Sequence, residues 1–314
     1  MGIIVFGSIN MDLVATAPRL PVGGETLLGE DFFQVSGGKG ANQAVALARL
    51  GIPTQMVGRV GADNFGVELL KNLQASGVQT NNVFVDETVS SGVAIITVSQ
   101  AGENQIVVIP GANGRVNQED VQRLSSLLPE ATALLLQLEI PIPAVVAAAK
   151  AARSANIKVI LDPAPAQSNL PAELYPLIDI ITPNEVEAGQ LVGFAVDGEE
   201  TAAKAAEILL QRGVKCAIVK LGAKGVFCAT AQENFLVPAF PVHVVDTVAA
   251  GDAFNGALAA ALFQGISLHQ AVIWGAAAGA LAATKPGAQT SLPNKLTFDA
   301  FLQEKVTSYP PNHT

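Results

Sequence analysis

The 314 residues carry 18 lysines and arginines against 27 acidic residues, a formal charge of -9, with half of the chain hydrophobic and only 5% aromatic. With no Lys/Arg cluster along it, nucleic acid and anionic membrane are excluded as main partners, and a small anion must be held by local geometry. An interior of Ala, Val, Leu and Ile suits buried parallel strands and their covering helices, the composition of an α/β enzyme core.

The first apolar run is strand-sized and has no basic flank, so it does not read as a signal peptide, and Phe6 breaks the N-myristoylation pattern. The expected location is the cytoplasm. A strand over Ile3 to Phe6 runs into GSINMD, which sets Asn10 and Asp12 just past a strand's C-terminal end, where open α/β sheets bind ligands. An Asx turn explains the pair equally well locally. As a ligand site, the amide and the carboxylate suit two sugar hydroxyls.

From Leu13 to Val35 the pattern is extended and broken by Pro18, Pro21, Gly23 and Gly24, and Gly92–Ser99 with Gln105–Ile109 reads as a hairpin. These two insertions predict a small sheet that can close over a ligand and exclude water. Between them, a Gly-rich turn over Ser36 to Gln43 leads into a helix expected at Ala44 to Leu50. It is not a nucleotide P-loop, because Phe33 and Gly40 occupy positions that need Gly and Ser or Thr. Gly37, Gly38 and Gly40 allow close approach of backbone to ligand, and Lys39 and Asn42 add polar groups; a tight turn with close helix packing is the alternative.

Strands at Thr54–Val60, Ala133–Leu138, Lys158–Leu161, Ile178–Thr182 and Cys216–Leu221 alternate with helices near Asn64–Ser76, Gln118–Leu128, Ala144–Ala155 and Glu200–Arg212. That alternation predicts an α/β fold with a mostly parallel central sheet and helices on both faces. The core is expected over 1–12, 37–90 and 111–309, the small β lid over 13–36 and 91–110, and a loose tail over 310–314. Polar groups follow three strands: Glu139, Asp162, and Asn184 with Glu187, carboxylates suited to hydroxyls or hydrated magnesium. Asn184 also reads as a helix cap. Lys220-Leu221-Gly222-Ala223-Lys224-Gly225 is a strand-turn-strand that can line a nucleotide pocket or simply be a hairpin.

A short strand over Pro241 to Val245 is expected to lead into DTVAAGDAFNG, Asp246 to Gly256, and a long Ala-rich helix. Helix N-termini leave N–H groups unpaired at the positive end of the dipole, so Ala249, Ala250 and Gly251 can cradle an anion beside the carboxylate of Asp252. Ser267 to Thr284 reads as a buried helix rather than a membrane span, with Trp274 in the core. Cys216 and Cys228 read as core residues, and His243, His269 and His313 show no ligand spacing, which leaves acid–base work to carboxylates.

GSINMD, GGKGANQA, LLLQLE, ITPNEVE and DTVAAGDAFNG, in that order and nearly end to end, resemble the PfkB sugar-kinase family, and within it the members that phosphorylate D-ribose at O5 with ATP. The resemblance implies a sugar site of Asn10, Asp12, Gly38, Lys39, Asn42, Glu139 and Asp252. It implies Asp252 as general base, with Ala249, Ala250 and Gly251 as the anion hole. Asn184, the turn from Lys220 to Gly225, and Gly251 would hold the nucleotide, and Glu187 would organise Mg²⁺. A monovalent cation, K⁺, would sit on Asp246, Val248, Ala282, Lys285, Gly287 and Ser291. The family also implies a homodimer through the lid, and Ala276 stands where some members carry a His against adenine. A kinase for fructose, deoxyribose or a nucleoside, and a sugar sensor without catalysis, are the alternatives.

Overall fold

A computed structural model describes residues 1–306; His313 and the tail expected to be loose lie outside the described residues. In chain order the elements are β1 (Gly2–Phe6), β2 (Asn10–Ala17), β3 (Asp31–Gly37), α1 (Lys39–Arg49), β4 (Thr54–Gly61), α2 (Asn64–Ala75), β5 (Gln79–Asp86), β6 (Gly92–Ser99) and β7 (Asn104–Ile109). There follow α3 (Gln118–Leu127), β8 (Ala131–Leu136), α4 (Ile142–Ser154), β9 (Lys158–Leu161), β10 (Ile180–Ile181), α5 (Glu185–Val192) and α6 (Glu199–Gln211). The chain continues through β11 (Cys216–Lys220), β12 (Val226–Thr230), β13 (Asn234–Val237), α7 (Ala250–Phe263), α8 (Leu268–Ala282) and α9 (Lys295–Val306).

Nine strands form one sheet in the order β13, β12, β11, β10, β9, β8, β1, β4, β5. It is parallel from β5 to β11 and ends in an antiparallel meander through β12 and β13. Alternate side chains of β1 point to opposite faces: Ile3 and Val5 enter a core shared with α1, α7 and α8, while Ile4 and Phe6 enter one shared with α3, α4 and α6. The first core explains the excess of Ala and Gly, because a Cβ on Gly256 would lie 2.5 Å from Ala46 Cβ where α7 crosses α1.

The two insertions meet in a second sheet, ordered β3, β2, β6, β7, with β2 parallel to β6. It begins at Asn10, three residues before the expected start at residue 13, so Asn10 and Asp12 belong to its first strand. One face keeps Phe32, Ile95 and Val107 exposed, while Ile106 is exposed on the other.

Three expectations need correction. Helix α1 starts at Lys39 rather than Ala44, since Gly38 at φ 87 makes the sharp turn alone and Gly40 packs inside the first helical turn. Pro241 to Val245 forms no strand: Val244 and Val245 are exposed, and the N–H groups of Val245 and Asp246 go to the Ala283 carbonyl. Strands β5 and β13 were not anticipated, because both lie at sheet edges and neither carries a long apolar run.

Candidate active site

The strand ends are in register: Phe6 sits opposite Leu136, Leu136 opposite Leu161, and Leu161 opposite Ile181. Whatever follows each strand therefore stands on one rim. Ser8, Gln137, Glu139, Asp162 and Asn184 are brought together in this way from segments far apart in sequence.

Onto that rim the Gly-rich turn lies flat. An added Cβ on Gly38 would come within 2.7 Å of the Asn10 nitrogen, and one on Gly40 within 2.7 Å of the Ser8 nitrogen, so both positions exclude a side chain. The Ala41 N–H donates to the Ser8 carbonyl at 2.9 Å, and the Lys39 N–H to Glu139 Oε2 at 3.0 Å. Ser8 Oγ donates to that same carboxylate oxygen at 2.5 Å. One turn later on α1, Asn42 Nδ2 donates to Asp252 Oδ2 at 2.9 Å and Gln43 Nε2 to Asp252 Oδ1 at 3.1 Å.

Asp252 is 4% exposed, and burial pushes its carboxyl up from 3.8 to about 6. Lys39, Asn42 and Gln43 pull it back, while Asp162 adds to the rise. Asp12 is raised to about 7, first by burial and then by the charges of Glu139 and Asp252. Burial works against the charge on Lys39, but Asp252, Asp162, Glu139 and Glu187 outweigh it and hold the ammonium protonated. A carboxylate near neutrality is suited to take a proton at physiological pH. All seven residues expected around a sugar are thus neighbours or share one electrostatic field.

The helix behind Asp252 begins with a strained cap. Ala249 has φ 59, a left-handed conformation that costs a non-glycine residue about 1–2 kcal/mol, and it accepts the Ala253 N–H at 2.8 Å. Among the described residues, the N–H groups of Ala249 and Gly251 meet no hydrogen-bond acceptor, and neither does that of Asp252. The Ala250 N–H is engaged by the Thr247 carbonyl at 3.2 Å, so the open donors are Ala249, Gly251 and Asp252. The Lys220 ammonium lies close by, since a Cβ on Gly251 would be 3.3 Å from Lys220 Nζ.

Asn184 and Glu187 form a reciprocal cap on α5, with the Glu187 N–H donating to Asn184 Oδ1 at 2.8 Å and the Asn184 N–H to Glu187 Oε2 at 2.8 Å. The capping alternative therefore holds for Asn184. Burial raises the Glu187 carboxyl and Lys220 lowers it. Asn184 also bridges to Lys220, whose N–H reaches the Pro183 carbonyl at 2.8 Å. In the turn that follows, Gly222, Ala223 and Lys224 are exposed, whereas Leu221 and Gly225 are buried and offer only backbone. The Lys224 ammonium is held by Glu185 at 3.5 Å.

Behind α7, Asp246 accepts from the N–H groups of Val248 and Gly287, both at 2.9 Å, and so ties two turns together. Ser291 Oγ donates to the Ala288 carbonyl at 2.7 Å, and the Ala282 carbonyl accepts from Lys285 at 3.1 Å. The six residues expected around a monovalent cation thus lie on connected segments next to the open N–H groups that start α7.

Sequence reasoning gives no role to Gln43, Gln137 or Ser8, and names Asp162 only as a strand-end carboxylate suited to hydroxyls or magnesium. Gln137 carried a signal, a polar residue inside the run LLLQLE that had to be buried at a strand end.

A buried carboxylate, open helix-terminal donors and a polyol-sized cluster of polar groups on the rim of an α/β sheet are the parts of a small-molecule phosphotransferase. Residues 2–295 match the pfkB family carbohydrate kinases, and the chain belongs to that family. It is 40% identical over 299 residues to a ribokinase of Haemophilus influenzae, covering 95% of this chain and 97% of that protein. A deoxyribokinase of Salmonella typhi is 36% identical over 302 residues, covering 96% of this chain and 99% of that one. The solved structure of an Arabidopsis thaliana ribokinase complexed with ribose and ATP is similar with a TM-score of 0.88 at 33% identity, covering 96% of this chain and 98% of that one.

Proposed function

We propose that this chain transfers the γ-phosphoryl group of ATP to O5 of D-ribose, giving ribose 5-phosphate and ADP. The observation that carries this reading is Asp252, buried at the start of α7 beside open N–H groups. As O5 bonds to the γ-phosphorus and the bond to the ADP oxygen breaks, the O5 proton passes to the Asp252 carboxylate. The open donors of Ala249, Gly251 and Asp252 stabilise charge on the moving group, and the remaining work is positioning. Asn10, Asp12, Gly38, Lys39, Asn42 and Glu139 hold the sugar, and Asn184 with the Lys220 to Gly225 turn holds the nucleotide.

Among the described residues, no cluster of three or more His, Cys, Asp or Glu is placed to hold a metal ion. Mg²⁺, which ordinarily takes most of its ligands from water and phosphate oxygens, would supply charge neutralisation of the phosphates when bound. Glu187 fits that role through a bound water, because both its oxygens already accept hydrogen bonds from Asn184. Asp246, a single carboxylate among carbonyl-bearing turns, fits K⁺ better than a divalent ion, and with Val248, Ala282, Lys285, Gly287 and Ser291 it would keep the anion hole in shape. The exposed apolar face of the small sheet supports a homodimer through the lid. No helix among the described residues is long and apolar enough to cross a membrane, and we place the enzyme in the cytoplasm, where ATP is at hand.

The deciding experiment measures ADP release across ribose, deoxyribose, fructose and adenosine, with and without K⁺. Ribose is expected to give the highest kcat/KM and K⁺ to raise turnover. Preference for deoxyribose would move the chain to the reading that the Salmonella relative favours, and no response to any acceptor would leave a sensor.

A further inference from the structure

Between the sugar half and the nucleotide half of the cleft stands one side chain that bonds to both. Gln43 is 1% exposed, and its Nε2 donates to Asp252 Oδ1 at 3.1 Å and to Asp162 Oδ2 at 3.0 Å. Its own carbonyl oxygen accepts from Gln137 Nε2 at 2.7 Å. Asp162, 3% exposed, takes its other bond from Lys220 Nζ at 3.1 Å, beside the anion hole. The orientation of the Gln43 amide is therefore forced: two carboxylate oxygens accept only, so the NH₂ must face them, and the amide of Gln137 holds the opposite end. Gln137 is fully buried, and its Oε1 finds no partner among the described residues. It lies against Gly7, where an added Cβ would fall 2.0 Å away.

We infer that Gln43 is the positioning residue for the general base, spanning Asp252 and Asp162 so that the base keeps one fixed carboxylate plane toward the sugar. Asn42 fixes one oxygen of Asp252 and Gln43 the other, which sets the rotation of the carboxylate as well as its place. Without the bridging NH₂, two buried carboxylates would face each other with no donor between them, and the Asp252 carboxyl would rise further. The charged groups that face Asp252 are Lys39 from α1, Asp162 from the end of β9 and Asp12 from β2, with Lys220 of β11 facing Asp162. Gln137 acts one step further back, by holding Gln43.

The inference rests on the kinase reading, which wild-type ribose turnover tests first. Gln43→Met keeps the volume and removes every bond. It should lower kcat at pH 7 about 10- to 100-fold with sugar KM changed less than about threefold, a misplaced base being that costly. The acid limb of its pH–rate profile should move up by about one unit, so that the deficit shrinks toward pH 9. Gln137→Met should shift the limb the same way by less, and the double variant should be no worse than Gln43→Met alone. A folded Gln43→Met enzyme with an unmoved acid limb, whether its rate is normal or uniformly low, overturns the inference. Should that variant not fold, Gln137→Met decides, and an unmoved limb there overturns it equally. Should the wild type phosphorylate no sugar, the kinase reading falls, and a carbon-13 NMR titration of Asp252 in wild type and Gln43→Met still decides this point, a raised value supporting it and an unchanged one overturning it.

Discussion

At the scale of single residues, the proposed chemistry depends on one carboxylate whose environment pulls it both ways. Asp252 is desolvated, which favours its protonated form, yet it accepts from two amides and lies in the field of Lys39, which favours the charge. The balance at about 6 leaves it mostly ionised at neutral pH and still able to take a proton. Asp252→Asn keeps the size but turns an NH₂ toward one of the two amide donors of Asn42 and Gln43, and it should lose kcat by about 10²- to 10⁴-fold, the usual share of a general base, with sugar KM little changed; steady-state kinetics on ribose check this. The same groups make a stability prediction for the ligand-free protein. Asp12 and Asp252 bind protons more tightly folded than unfolded, so between about pH 4 and pH 7 the folded state holds more protons and stability falls as pH rises. Tm measured from pH 5 to pH 8 should decline, and decline less steeply in Asp12→Asn.

Single elements show how local rules are bent to hold these residues. Helix α1 has no side-chain cap and begins on Gly38 at φ 87, and α7 begins on Ala249 at φ 59, so both helices that meet at Asp252 start from left-handed residues. Such starts turn the first N–H groups toward the rim instead of satisfying them with a Ser or Asp cap. Gly38→Ala would add strain and a Cβ 2.7 Å from the Asn10 nitrogen. It should cost about 1–3 kcal/mol in urea unfolding and raise sugar KM, since Asn10 must shift to make room. The rules that held were those of α5, where Asn-x-x-Glu formed the reciprocal cap its spacing implies. Periodicity located β9 to the residue and missed β5, whose Thr80-Asn81-Asn82 run alternates no apolar side chains at a sheet edge.

For the molecule as a whole, the second sheet is the element with unfinished contacts. Phe32, Ile95, Ile106 and Val107 are between 49% and 60% exposed on it, a density of apolar groups that a monomer rarely leaves in water. Strand β2 of that sheet carries Asn10 and Asp12, so any partner that clamps the sheet acts directly on the residues proposed to hold the sugar. Val107→Asp, on the face it shares with Phe32 and Ile95, should convert the proposed dimer to a monomer by size-exclusion chromatography with light scattering. It should also raise sugar KM about tenfold, a loss of about 1.4 kcal/mol in binding. A dimer that persists with unchanged KM would show that this face is not the contact.

The sequence by itself determined the α/β class, the pairing of two insertions into a small sheet, and the motif residues around Asp252. These are legible because apolar periodicity, Gly-rich turns and strand-end polar groups are local patterns that the backbone reads within a few residues. Only the tertiary structure decided which polar groups share a proton environment. Gln43, Gln137 and Asp162 lie far apart in the chain, and it is the register of four parallel strands that sets them on one rim. Their burial then turns ordinary amides and carboxylates into a bonded chain, since a desolvated charge must find a partner and the fold alone supplies one.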